Sequence, residues 1–160
     1  MERALQSHSN IKQFSTFYVG DRWYGIDVME VQEVLKTLPM TKVPLAPEFV
    51  EGLINLRGQI ATAIDLRRLF ILESDGNAPQ INVVCNHEDT LLSLRVDKIG
   101  DVVDAPDSAF ENTPDTLDSD IKRFMCGVYK LDGPLLSIIE IDKIVQYLNK
   151  QVGKCLEGQK

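Results

Sequence analysis

The chain has 160 residues, of which 44% are hydrophobic and 26% charged, and its formal net charge is −7 with a sequence pI of about 4.8. This size and composition are ordinary for one globular domain. The acidic balance argues against general nucleic-acid binding, which uses a basic stripe, and against attraction to anionic membranes. No apolar run approaches the roughly 20 residues that span a bilayer, so we expect no direct membrane insertion.

The three cysteines give an odd number without C-x-x-C spacing, which indicates a reducing cytoplasm rather than a disulfide framework. Cys85 and Cys126 lie within apolar runs and are expected to be small buried residues.

The N-terminal part of the chain reads as strands separated by turns. Residues 1–12 are expected to form a loose tail, and strands are predicted at 14–19 and 23–26 around a Gly-Asp turn. Valines at spacing three over 28–34 indicate either a short helical turn or a bent strand, and we favour a bent or turn-interrupted strand. Prolines over 39–47 exclude a long helix, although one helical turn over 47–50 is compatible with them.

The most informative segment has two apolar runs that flank the pair Arg57-Gly58. A glycine there readily takes the positive φ of a two-residue hairpin loop. The second run ends at Asp65, an N-cap residue type, and Leu66 and Leu69 follow at helical spacing. The segment therefore predicts a strand, an arginine-bearing hairpin tip, a second strand and a short helix, which together form a rigid support for exposed residues.

The second half of the chain begins beyond its most loop-like internal run. Residues 73–79 form that run, and we place the junction between two subdomains near 72–80. Strands are predicted at 81–85 and 91–96, and the second of these is expected to continue through 99–103. The acidic, proline-containing stretch 105–120 is expected to be a surface loop.

The C-terminal part is predicted to be a hairpin followed by a helix. The hairpin joins strands at 124–131 and 135–139 through an Asp-Gly turn. Ile141, Ile144, Val145 and Leu148 have the spacing of an amphipathic helix. Residues 150–160 contain too little hydrophobic content to fold alone and are expected to form a flexible tail.

About nine or ten short strands and two or three short helices make this a mainly β, all-β class protein. Strand clusters before and after residue 75 favour two small barrels over one sandwich. We assign residues 13–149 to a single domain made of these two interleaved subdomains.

Catalytic chemistry is not evident in the sequence. Only two histidines are present, His8 and His87, and neither lies in a triad-like pattern. Metal-ligand spacing, a Walker A motif and a G-x-G-x-x-G loop are absent, so no cofactor or metal is expected. A small enzyme on a β-barrel and a barrel that binds single-stranded nucleic acid stay as alternatives, although the −7 charge and 7% aromatic content disfavour the second.

The hairpin segment carries a family resemblance. The stretch GLINLRG at 52–58, followed by DLR at 65–67, resembles the signature of the CheW family of chemotaxis coupling proteins. YGID at 24–27 with VQEV at 31–34 matches a second pattern of that family, and the resemblance spans about 14–148. The chain departs from the family at Thr62, where a proline is usual, and at Ala63, where a larger aliphatic residue is usual.

The resemblance implies a fold and a role. The fold would be two SH3-like, five-stranded β-barrel subdomains around a shared hydrophobic region, with short helices and no catalysis. The role would be an adaptor that bridges the cytoplasmic tip of a methyl-accepting chemotaxis receptor to the regulatory domain of the histidine kinase CheA, with the receptor-binding groove between the barrels. A coupler of another chemosensory pathway, such as pilus motility or biofilm control, is the alternative within this class.

The resemblance also implies partner-contacting residues. Arg57 and Glu33 are expected to contact a partner, whereas Asn55 and Gly58 are expected mainly to shape the hairpin. Val31, Ile60 and Ile64 are each compatible with core packing or with an apolar docking surface. The full set of candidate receptor- or kinase-binding residues is Val31, Glu33, Asn55, Arg57, Gly58, Ile60, Ile64 and Arg67.

Overall fold

The computed structural model describes residues 11–72 and 81–158. Eleven strands and three α-helices lie within those ranges. The strands are β1 Ile11–Val19, β2 Arg22–Asp27, β3 Val31–Lys36, β4 Val50–Leu56, β5 Gln59–Asp65, β6 Ile81–His87, β7 Thr90–Val96, β8 Lys98–Pro106, β9 Phe110–Glu111, β10 Met125–Lys130 and β11 Leu135–Ile139. The helices are α1 Leu66–Leu69, α2 Ser119–Lys122 and α3 Ile141–Gly158, and 3-10 turns cover Val28–Glu30 and Asp107–Ala109.

The strands form two sheets, which confirms the mainly β prediction. One sheet has six strands in the order β8-β1-β2-β11-β10-β9, and the other has five in the order β3-β6-β7-β5-β4. Neighbouring strands are antiparallel except for the β2–β11 and β5–β7 pairs, which are parallel. The sixth strand of the larger sheet, β9, has only two residues.

The five-stranded sheet curls so that the chain beyond one edge strand, β3, contacts the other edge strand, β4. Beyond β3 the chain returns to β4, where Thr41 and Leu53 exchange two backbone hydrogen bonds of 2.9 and 2.8 Å. Gly52 makes this approach possible, because a Cβ atom there would lie 2.7 Å from the carbonyl oxygen of Thr41. Because Gly52 has only a hydrogen atom as its side chain, the β3–β4 connection can lie close to β4.

Three hydrophobic clusters account for the packing of the residues that the structure describes. The largest joins both sheets and α3, and includes Phe17, Tyr24, Ile64, Leu92, Phe124 and Ile144. A second lies on the other face of the five-stranded sheet and includes Ile54, Ala61 and Ala63, and a third lies on the other face of the six-stranded sheet around Phe14 and Tyr129. Each sheet thus packs on a hydrophobic cluster of its own in addition to the shared core. Ala63, where the family usually has a larger aliphatic residue, lies in the cluster of the five-stranded sheet.

Strand pairing corrects the expected division near residue 75. β6 and β7 follow that position in sequence but pair with β3 and β5, which precede it. The chain changes sheets at the 3-10 turn Val28–Glu30 and again between β7 and β8. The expected junction at 72–80 lies almost wholly outside the described residues.

Five further expectations need correction. The strand at 99–103 does not extend β7 but belongs to β8, in the other sheet. The stretch 105–120 contains β9 and a 3-10 turn as well as loop. Residues 11 and 12 begin β1 rather than ending a tail, and α3 continues through Gly158 instead of stopping near residue 150. Cys85 is buried as predicted, but Cys126 is exposed because its side chain points away from the core-facing side of β10.

Candidate functional site

The hairpin tip between β4 and β5 forms as the sequence predicts. Arg57 and Gly58 are its two loop residues, with φ of 51° and 89°. The positive φ at both positions is that of a type I′ turn, which matches the twist of the flanking strands. Asn55 supports the loop, since its Oδ1 accepts a 2.9 Å hydrogen bond from the backbone N–H of Gly58. An arginine in this backbone region is unfavourable relative to glycine or asparagine, so the turn itself does not explain its presence.

Arg57 is held by Glu33. Its Nη2 atom lies 2.6 Å from Oε1 of Glu33, which reaches it from β3 across the curled sheet. The arginine side chain is 71% exposed and the glutamate 22%. An ion pair this exposed adds only about 0.2–1 kcal/mol to stability. Its main effect is to fix the direction in which an exposed guanidinium presents its remaining donors.

The structure separates the three apolar candidates. Ile60 is 56% exposed beside the hairpin tip, whereas Ile64 is fully buried in the core shared by the sheets. Val31 is half-buried and packs on that same core. Of the two open interpretations, the apolar surface thus applies to Ile60 and core packing to Ile64. The expectation that Ile64 contacts a partner is wrong, because its side chain has no accessible surface.

Arg67 has an internal ion-pair partner. Its Nη2 and Nε atoms lie 2.6 and 3.2 Å from the two carboxylate oxygens of Asp97, in a fork-to-fork arrangement. Asp97 also accepts a 2.6 Å hydrogen bond from the backbone N–H of Gly20. Because the arginine side chain is only 10% exposed, we infer a structural role for it in place of the predicted partner contact. Asp97 lies where the chain leaves the five-stranded sheet, so this cluster ties that sheet to the β1–β2 turn.

Asp65 is the N-cap residue of α1, as predicted. Its Oδ1 accepts a 3.0 Å hydrogen bond from the backbone N–H of Arg67, and its Oδ2 lies 3.5 Å from Nε of Arg68. On the adjoining strand ends, Glu51 forms a short ion pair with Arg95. Burial raises the pKa of the Glu51 carboxyl, and the nearby Asp65 raises it further, while Arg95 opposes both.

A cleft of about 750 Å³ lies beside the six-stranded sheet. Its apolar lining includes Phe14, Phe110, Tyr129, Ile138 and Ile141. The polar lining residues are the acidic side chains of Asp27, Glu30, Asp107, Glu140 and Asp142, together with Lys12 and His87. The cleft thus combines an aromatic and aliphatic floor with a largely acidic rim, which suits an amphipathic segment that carries basic residues.

Phe110 lies in this cleft because a glycine leaves room for its ring. Gly127 lies directly beneath its ring, since a Cβ atom there would be 2.4 Å from the Phe110 Cζ atom. The ring packs edge-on against Tyr129, with centroids 5.3 Å apart, and remains 39% exposed. Burial raises the pKa of Tyr129, and the nearby Asp107 adds to the shift, so its hydroxyl stays neutral and is available as a hydrogen-bond donor.

Sequence reasoning did not assign the cleft residues to a site. Phe110 lies in a stretch that is predicted to be a surface loop, and His87 is considered only as a catalytic residue without a triad-like pattern. The available signal was an isolated aromatic residue in an acidic loop. Within the described ranges, no group of three or more His, Cys, Asp or Glu residues has the arrangement of a metal site. Likewise, none of the helices described is long and apolar enough to cross a membrane.

Known proteins resemble this chain over most of its length. A family model described as a CheW-like domain matches residues 13–149. "Chemotaxis protein CheW" of Treponema pallidum (strain Nichols) is 31% identical over 137 residues, which are 82% of this chain and 81% of that protein. "Protein PilI" of Pseudomonas aeruginosa is 29% identical over 136 residues, which are 84% of this chain and 74% of that protein. The crystal structure of scaffolding protein TtCheW from Thermoanaerobacter tengcongensis superposes with a TM-score of 0.73 at 32% identity, and covers 81% of this chain and 88% of that one.

Proposed function

This chain belongs to the CheW-like domain family, and we propose on that basis that it is an adaptor coupling methyl-accepting chemoreceptors to the histidine kinase CheA. Proteins of the CheW family are scaffolds rather than enzymes. The adaptor would act in the cytoplasm and would associate with the membrane only through receptor arrays. The observation that carries the proposal is the Glu33–Arg57 pair, an exposed and fixed guanidinium at a strained hairpin tip.

We assign the kinase contact to the hairpin-tip surface, defined by Glu33, Arg57 and Ile60. Backbone strain at a non-glycine residue, together with an ion pair of little energetic value, is a pattern typical of functional positions. The guanidinium retains donors beyond the one used by Glu33, and Ile60 adds an exposed apolar group beside it. A partner that presents a carboxylate or backbone carbonyls next to an apolar patch would match this surface.

We assign the receptor contact to the cleft beside the six-stranded sheet. Its apolar floor and acidic rim fit the helical tip of a receptor that carries basic side chains among apolar ones. The cleft is lined mainly by the six-stranded sheet and the start of α3, whereas the hairpin-tip surface lies on the five-stranded sheet, so we expect both partners to bind at once. Coupling between them would then pass through the core that both sheets share, with a coupling free energy of about 1–3 kcal/mol.

The proposal is tested with the purified chain, the CheA regulatory domain and a receptor-tip fragment from the same genome. Size-exclusion chromatography with light scattering should detect a ternary complex. Arg57→His and Glu33→Lys should each weaken the kinase contact and leave the melting temperature nearly unchanged, because the ion pair is exposed. The control is Lys122→His in α2, a half-buried cation whose Nζ lies 3.7 Å from Asp115.

A charge-swapped variant, Glu33→Arg with Arg57→Glu, distinguishes two roles of the pair. If the partner binds the guanidinium at the hairpin tip, the swapped variant keeps the internal ion pair but no longer binds the partner. Wild-type affinity in the swapped variant would mean that the pair only shapes the tip. Absence of a complex with either partner would refute the coupler of this pathway.

A coupler of a different chemosensory pathway is the second candidate. Identity to the relative named PilI is within a few per cent of the identity to relatives named CheW, so similarity alone does not separate the two. The same binding assay, with the kinase and receptor of the second pathway in place of the first, distinguishes them. Tighter binding to that second pair would favour the alternative.

A further inference from the structure

His87 bridges two carboxylates that belong to different parts of the fold. Its Nδ1 atom lies 3.1 Å from Oε2 of Glu30, and its Nε2 atom lies 3.1 Å from Oδ1 of Asp142. His87 ends β6 in the five-stranded sheet, Glu30 lies in the 3-10 turn where the chain changes sheets, and Asp142 lies in the first turn of α3. One imidazole therefore connects the five-stranded sheet to two elements that border the cleft.

This geometry fits only the protonated ring. Carboxylate oxygens accept hydrogen bonds, and the imidazolium cation donates from both nitrogens. A neutral imidazole donates from one nitrogen only, so its other nitrogen would direct a lone pair at a carboxylate oxygen. Deprotonation therefore replaces one charge-assisted hydrogen bond with a repulsive contact.

The surroundings strengthen the preference for the cation. Burial lowers the pKa of His87, but hydrogen bonds and charge from Glu30, the hydrogen bond from Asp142 and the charge of Glu88 outweigh it and raise the pKa above 6.5. The facing charged groups thus come from the 3-10 turn, from α3 and from the β6–β7 turn. The side chain is 20% exposed, so protons can exchange with solvent.

We propose that His87 is a pH-sensitive clamp that fastens the end of β6 to the 3-10 turn and to α3 when it is protonated, and releases one of them when it is neutral. Because the folded-state pKa is raised, the stabilisation is fully present below the unfolded-state pKa near 6.5 and is lost as the pH rises through the higher folded-state value. The loss therefore occurs above pH 6.5. The released element borders the cleft, so its rim would loosen at the alkaline end.

The ionisation is measured by NMR in a His8→Gln background, which leaves His87 as the single histidine. We expect its imidazole to titrate above 6.5 and the pKa to fall in Glu30→Gln and in Asp142→Asn. Glu88→Gln is the matched control, because it removes a neighbouring negative charge that forms neither bridging bond and should lower the pKa less.

The mechanical effect is measured by amide hydrogen exchange, corrected for the intrinsic pH dependence of exchange. Between about pH 6 and about pH 8.5, protection of the α3 first turn or of the 3-10 turn should fall several-fold in the wild type. Asp142→Asn should abolish this fall in α3, because an asparagine amide can donate to the neutral ring nitrogen. Glu88→Gln should retain it.

Two results would overturn the clamp. One is a His87 pKa at or below 6.5 that neither bridging variant changes. The other is a raised pKa with pH-independent protection of both elements. Neither readout requires a receptor or a kinase, so the outcome is independent of the adaptor proposal.

Discussion

Removing the Asp97 carboxylate tests whether Arg67 is a structural residue or a partner contact. Asp97→Ala deletes the fork-to-fork pair with Arg67 and the hydrogen bond from the backbone of Gly20. It leaves a guanidinium with a side-chain exposure of only 10% without this partner. We therefore expect the substitution to act on the free energy of unfolding.

The magnitude follows from the burial of the pair. Breaking a fully buried ion pair by removing one partner costs about 3–5 kcal/mol. Asp97 retains 24% side-chain exposure, so water can partly replace it, and we reduce the expected cost to about 2–3 kcal/mol. At about 3 °C per kcal/mol for a chain of this size, the melting temperature should fall by about 6–9 °C.

Urea unfolding followed by the fluorescence of the single tryptophan, Trp23, gives the free energy directly. Arg67→Ala and the double variant complete a cycle in which we expect a coupling energy of about 2 kcal/mol. Asp104→Ala is the control, since that exposed carboxylate accepts one 3.0 Å hydrogen bond from Gln13 and should change stability by less than about 0.5 kcal/mol.

One result would refute this reasoning. If Arg67→Ala left the free energy of unfolding unchanged and abolished kinase or receptor binding, Arg67 would be the partner contact that its sequence motif suggested. A coupling energy near zero with both single variants destabilised would instead show that the two residues act through other neighbours.

Four further substitutions test the packing around the hairpin, all by urea unfolding. Ile64→Ala should cost about 2–5 kcal/mol because its side chain is fully buried, whereas Ile60→Ala, beside the tip, should cost less than about 1 kcal/mol. Equal costs would contradict the assignment of the two residues to core and surface. Gly58→Ala should cost about 1 kcal/mol through its positive φ, without a steric clash. Gly52→Ala should cost more than Gly58→Ala, because its new Cβ would lie 2.7 Å from the backbone oxygen of Thr41; the reverse order would refute the close approach.

Local features of the site were predictable because neighbours in sequence create them. The hairpin at Arg57-Gly58 follows from turn chemistry, and the N-cap at Asp65 follows from a side chain that reaches a backbone N–H two residues away. The core-facing side of α3 follows in the same way from helical spacing. For these features, the energy that decides the conformation depends on residues within one or two turns of each other.

Partner choice among strands was not predictable in this way. The stretch 99–103 was correctly read as a strand but joins β1 in the six-stranded sheet instead of extending β7. An alternating pattern indicates which face of a strand is buried but carries no information about which strand lies beside it. The division of the strands near residue 75 failed for the same reason.

The sequence by itself determined the mainly β class, the hairpin with its exposed arginine, and the helix start after β11. Only the tertiary structure decided what the charged side chains do. Glu33 and Arg57 are 24 positions apart, Arg67 and Asp97 are 30 apart, and His87 and Asp142 are 55 apart, yet each pair is in contact. Whether such a charge is a free contact, a structural tie or a clamp depends on the distance to its partner, and that distance is set by packing between sheets.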